Sequence, residues 1–369
     1  MSISIDTNTL NYYIQNAQIP LSVLKAKIIH LDQFLTGEKQ PTFTQLSEIA
    51  KKINIPTGLL LLNKTVNIEN NRLEFRTFNS DELSHRSEEL RDTIIEMELK
   101  QDFLRKEIDE QLDFIGQYTI NHDVMQLASD IRTKLDIPLF FQKEAGQNPI
   151  NYLRQKINQL GVFVFFNGKV KDNAYRPLNV KEFRGFVLSD DKAPIIFINQ
   201  KDSKAGQLFT LVHELVHLFV GIEEVFNIVD TEDYQFDKNE AFINKVTAEI
   251  LVPQSEFLNS DLTDSQQLAN KFKVSEFVII RRLLELKQIT PLEYKKRIAV
   301  LQENLSRLVQ KESNGGSYVN NIKFRIDKKF IYYIENAVKQ ERISYTDAFN
   351  IIGVSFKGYK ILTSRNVND

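Results

Sequence analysis

The sequence predicts an α-rich α+β architecture spread over several domains, and three observations carry that expectation. A chain of 369 residues is longer than one hydrophobic core comfortably supports. Apolar, β-prone runs gather between Val162 and Ile198. Outside that window, apolar residues recur at helical spacing.

Taken in order, the elements follow from local chemistry. Up to about Leu62 the chain reads as short helices around the turn Thr36–Pro41, with Thr42 as N-cap of a helix ending near Ile53. A charged helical region is expected from Asp81 to about Leu112. Its stripe of Leu90, Ile94, Met97 and Leu104 reads as a core-facing seam. Asn151–Leu160 should be a helix and Val162–Phe166 a strand. Phe186–Leu188 and Ala193–Ile198 should be adjacent strands joined at Ser189–Lys192. A long apolar helix follows over Gln207–Phe219. From Ser265 onward everything reads helical, interrupted by the joint Ser313–Ser317.

Composition removes several function classes. With 42% hydrophobic and 26% charged residues, wholesale disorder and fibrous structure are excluded. The absence of cysteine excludes thiol catalysis, disulfide scaffolds and cysteine zinc sites. No apolar run approaches a bilayer span, and the first ten residues lack the pattern of a signal peptide, so a cytoplasmic protein is expected. Net charge is −2, yet residues 261–369 hold 19 basic and 12 acidic side chains. Such a tail suits either a polyanion surface, including DNA, or a solvated helical surface.

His213-Glu214-Leu215-Val216-His217 carries the chemistry. On a helix, positions i and i+4 share a face, so both imidazoles can hold one metal ion. Glu214 is placed to take a proton from water polarised by that ion. No histidine follows His217, so a third ligand from downstream must be a carboxylate. Glu223, Glu224, Asp230, Glu232, Asp233 and Asp237 fall in a loop-like stretch. Glu240 instead opens an apolar helix on which Glu240, Asn244 and Thr247 form a narrow polar stripe. A buried site needs such a stripe, because unpaired polar groups there are costly. The plainer alternative for Glu240 is an N-terminal carboxylate favouring the helix dipole. Glu249 projects from the opposite side of the same helix.

Arg176–Gly185, Ala193–Asn199, Phe209–His217 and Glu240 through Asn244 to Pro253, in this order, resemble the ImmA/IrrE family of zinc metallopeptidases over roughly Ile137–Leu258. The resemblance implies a zincin-like domain holding Zn2+ through His213, His217 and Glu240. It also implies cleavage of regulatory proteins such as helix-turn-helix repressors. Glu182 and Arg184 read as a structural pair beside the strand. The strand Ile195–Ile198 is a candidate to receive an extended substrate by β-addition. Tyr175 and Tyr234 are candidate oxyanion helpers, competing with plain packing roles.

The flanks complete the expected organisation. Leu35–Thr42, Gln45–Ala50 and Ile55–Leu61 resemble a shortened Xre-type helix-turn-helix, although the first 60 residues carry only five Lys and no Arg against four acidic groups. Gln267–Ser275 with Val278–Leu284 fits a second helix-turn-helix, with Arg281 and Arg282 as DNA contacts or as packing groups. From Tyr318 the chain resembles the helical extension of longer family members. The expected domains are therefore an Xre-like domain (1–75), a charged connector (76–136), the metallopeptidase domain (137–260), a helix-turn-helix-like module (261–312) and a helical extension (313–369). The expected function is zinc-dependent regulatory proteolysis of a repressor or antitoxin-like partner in stress, mobile-element or phage-related control. The alternative is a DNA-binding regulator using the zinc domain as sensor or scaffold.

Overall fold

Strands that are buried on both faces must be apolar at every position, and the runs between Val162 and Asn199 meet that condition. The computed structural model describes residues 3–16, 21–53, 57–61, 86–221, 225–226, 238–307 and 317–364. It divides into two compact units, Met1–Arg76 and Thr77–Asp369.

The first unit holds α1 (Thr7–Asn16), α2 (Leu21–Lys27), α3 (Leu31–Thr36), α4 (Phe43–Lys52) and α5 (Thr57–Leu60). Leu10, Tyr13, Leu24, Phe34, Leu46 and Ile49 form its core. Thr42 caps α4 as expected, in a reciprocal capping box with Gln45. α2 and α3 meet through a turn in which His30 adopts a φ of 67°. α3 presents Asp32 and Gln33 to solvent, a surface with little to offer a phosphate backbone.

The second unit begins with α6 (Glu88–Glu107), α7 (Val124–Leu135), α8 (Gln142–Ala145) and α9 (Pro149–Gln159). The sheet and the site helices follow as β1 (Phe163–Asn167), β2 (Gly185–Leu188), β3 (Ile195–Asn199), α10 (Lys204–Val220), β4 (Val225–Phe226) and α11 (Lys238–Leu251). Then come α12 (Gln254–Leu258), α13 (Ser265–Phe272), α14 (Glu276–Glu285) and α15 (Pro291–Arg307). The last helices are α16 (Tyr318–Arg325), α17 (Lys328–Lys339), α18 (Tyr345–Ile352) and α19 (Phe356–Thr363). No helix among the described residues is long and apolar enough to cross a membrane.

The sheet order is β1-β3-β2-β4, with β3 parallel to β1 and antiparallel to β2. Alternating side chains separate two cores. Val162, Val164, Phe166, Val187, Ile196 and Ile198 pack with residues of α7, α9, α10 and α11. Phe163, Phe165, Phe186, Leu188, Ile195 and Phe197 pack on the other side with α6 and α16 to α19. The Leu90–Ile94–Met97–Leu104 seam of α6 faces this second core, as its spacing predicts. α6 starts at Glu88, capped by Ser87; residues 81–85, expected within it, lie outside the described residues.

Sheet order overturns one expectation. β3 is paired on both sides, so Ile195–Ile198 has no free edge for an added strand. The outer edge of β1 is closed too. Val164 donates its N–H to Asp327 Oδ2 (3.0 Å) and its carbonyl accepts from Arg154 Nη2 (2.5 Å). Asn158 Nδ2 bridges Asp327 Oδ2 (2.7 Å) and the Val162 carbonyl (2.9 Å). Asp327, fully buried, also accepts from the Lys329 and Phe330 N–H groups at the start of α17. One carboxylate thus seals a sheet edge and caps a helix, which blunts strand-to-strand association there.

Candidate metal centre

α10 is fixed at both ends. Ser203 accepts from the Gly206 N–H at its start (3.0 Å). At its end Gly221 adopts a φ of 75°, and a Cβ there would meet the Gly116 Cα at 2.8 Å, so only glycine serves. His213, Glu214 and His217 are buried on this helix.

The i, i+4 spacing sets the two Nε2 atoms 3.0 Å apart. α11 brings in Glu240, whose Oε2 lies 3.3 Å from His213 Nε2 and whose Oε1 lies 3.1 Å from His217 Nε2. All three ligand atoms fall within 4.8 Å of one another in buried surroundings, and this is a His/Cys/Asp/Glu cluster with metal-binding geometry among the described residues. Tetrahedral coordination with bonds of about 2.1 Å requires ligand atoms about 3.4 Å apart, close to the spacing of each imidazole nitrogen from its nearer Glu240 oxygen. The residues fit a metal ion.

Electrostatics agree with that fit. Burial pushes His213 down to about 4, the charge of a protonated His217 acting in the same direction and hydrogen bonds to Glu240 and Asn244 opposing it. The imidazole is thus neutral near pH 7, as ligation requires. Burial works against ionisation of Glu240, but hydrogen bonds and charge from His213 and His217 outweigh it and hold the carboxyl well below the usual range. Two imidazoles and one carboxylate form a donor set suited to a divalent ion with a position left open. Asn244, in the stripe read from the sequence, interacts with His213 in the sense that favours its protonated form.

Glu214 lies beneath β2. A Cβ on Gly185 would stand 3.3 Å from Glu214 Oε1, 2.8 Å from the Phe197 carbonyl oxygen and 2.5 Å from Thr210 Cγ2. Glycine at 185 lets the strand pass this close to the carboxylate. Its role was not visible in sequence, where Gly185 is only the residue after Arg184.

The other candidates separate. Glu249, buried on the far side of α11, pairs with Arg282, and Arg132 Nη2 approaches its Oε1 at 3.9 Å. Arg282 also donates to the Val252 carbonyl (3.1 Å). This corrects the reading of Arg282 as a DNA contact, since its guanidinium is buried and committed to α11. Glu182 and Arg184 do not form the expected pair. Glu182 accepts from the Ser87 N–H (2.8 Å) and Oγ (2.6 Å), whereas Arg184 pairs with Asp202 (2.9 Å). Tyr175 is 96% exposed, which removes it as a buried oxyanion donor. Tyr234, the acidic residues Glu223, Glu224, Asp230, Glu232, Asp233 and Asp237, and residues 313–316 of the joint lie outside the described residues.

Residues 158–284 match the family model described as the IrrE N-terminal-like domain, Peptidase_M78. The matched stretch contains His213, Glu214, His217 and Glu240 and supports a metallopeptidase domain of the ImmA/IrrE type. It does not extend to the N-terminal unit. No curated protein and no solved structure matches the chain significantly.

Proposed function

We propose that this chain is a zinc-dependent endopeptidase of the cytoplasm that performs regulatory proteolysis of a partner protein, such as a helix-turn-helix repressor or antitoxin. The observation carrying this reading is the convergence of two imidazoles of α10 and the Glu240 carboxylate of α11, with His213 Nε2 3.3 Å from Oε2 and His217 Nε2 3.1 Å from Oε1, beside Glu214, which lies under the β2 backbone. His213, His217 and Glu240 would hold the ion, which when bound supplies Lewis-acid polarisation of the scissile carbonyl and of water. Glu214 accepts the proton of the attacking water and delivers it to the leaving amine.

The test incubates the purified protein with the product of the gene adjacent to its own. The expected result is a small set of defined fragments, abolished by a zinc chelator and restored by added zinc. An intact neighbour protein, or cleavage that ignores the chelator, would reject the reading.

A further inference from the structure

One structural module occurs twice in the second unit. α13 ends at Phe272, Lys273 takes a φ of 58°, and Val274 and Ser275 lead into α14. Likewise α18 ends at Ile352, Gly353 takes a φ of 81°, and Val354 and Ser355 lead into α19. Burial keeps the same register: Leu268, Phe272, Val274 and Ile279 in the first copy answer to Ala348, Ile352, Val354 and Tyr359 in the second. Two helices joined by a three-residue turn that begins left-handed form a helix-turn-helix arrangement.

The copies differ in what covers the second helix. α14 buries Ile279, Ile280 and Arg282 and is tied to α11 through Glu249. That copy is spent on packing. α19 packs on α16, α17 and α18, coming close enough that a Cβ on Gly358 would touch Ile322 Cδ1 at 2.9 Å. Its opposite face is open, with Ser355, Phe356, Lys357, Lys360 and Ser364 exposed and Phe356 at 65%. Lys357 and Lys360 are three residues apart, hence on one face, and α19 contains no acidic residue. Among the described residues neither lysine has an ion-pair partner. The neighbouring acids are otherwise engaged: Asp347 closes the capping box of α18 with Ser344, and Glu335 faces Lys339 at 3.8 Å.

We propose that α18 and α19 form a duplex-DNA-binding site, with α19 as the helix that enters the major groove. Lys357 and Lys360 contact phosphates, and Phe356, at the start of the helix, meets the base edges. Charge complementarity selects a polyanion, since unpaired cations on an acid-free helix have no protein partner here. The groove selects DNA over RNA, because the major groove of A-form RNA is too narrow to admit side chains. The site is separate from the metal centre and holds whether or not the chain is a peptidase.

The full chain is titrated with a labelled DNA duplex of about 20 base pairs, two helical turns, at several salt concentrations, following fluorescence anisotropy. Wild-type binding should weaken steeply with salt. Lys357→Gln/Lys360→Gln should flatten the log–log salt slope by about one per lysine and weaken binding about tenfold at low salt. Arg281→Gln, on the packed copy, should bind within about twofold of wild type. Both substitutions are at solvent-facing positions, and matching circular dichroism melts establish that the fold is retained. No binding by wild type, an unchanged salt slope in the double variant, an equal loss in Arg281→Gln, or tighter binding to duplex RNA would each overturn the proposal.

Discussion

Glu214→Gln is expected to keep the metal and the fold and to lose proteolysis by two to four orders of magnitude, the range by which a general base accelerates proton transfer. The carboxylate is fully buried on α10, between the two imidazoles in sequence yet absent from the triangle of ligand atoms. Glutamine preserves its size, so the tight approach of Gly185 and Thr210 is undisturbed, but it cannot accept the proton of water. The comparison measures metal per chain, melting temperature and the cleavage rate of a protein substrate for both proteins. Cleavage by the variant within about tenfold of wild type would remove Glu214 from the chemistry.

A second large effect should come from a buried carboxylate of α11. Glu249→Ala leaves the Arg282 guanidinium buried without its partner and deprives Arg132 of a nearby charge. Breaking such a pair from one side costs about 3 to 5 kcal/mol, whereas replacing both members with apolar groups is often close to neutral. Urea unfolding should therefore show a severe loss for Glu249→Ala and a partial recovery in Glu249→Leu/Arg282→Met. The ordinary stability of the single variant would mean that the pair contributes nothing. Loss of the metal with unfolding unchanged would assign Glu249 to the metal centre.

These two glutamates show which features the sequence exposes. His213, His217 and Glu240 follow from helical geometry alone: four-residue spacing, and a polar stripe on an apolar helix with Glu249 on its other side. Thr42 with Gln45 and the two-sided burial of the strands are equally local signals. What escaped depends on partners remote in sequence. Strand order decides that β3 is central, and no residue within Ile195–Asn199 reports it. Arg282 reads as a surface cation until α14 folds against α11 and gives it Glu249. Asp327 lies 163 positions from the Val164 N–H that it accepts, so the sealed β1 edge has no local signature. Gly185 matters because Thr210 and Glu214 approach it from another element. His30 and His122 sit in turns, where His122 Nδ1 accepts from the Thr119 N–H.

His213, His217 and Glu240 form the candidate metal centre, and metal content tests it most directly. Protein purified without added metal is analysed by mass spectrometry as wild type, as Glu240→Ala and as Glu249→Ala, with circular dichroism on each sample. About one zinc per chain is expected in wild type, with near-complete loss in Glu240→Ala and retention in the folded fraction of Glu249→Ala. Wild-type protein that takes up no zinc, or Glu240→Ala that stays folded and holds as much zinc as wild type, would contradict the assignment of His213, His217 and Glu240 as the metal centre.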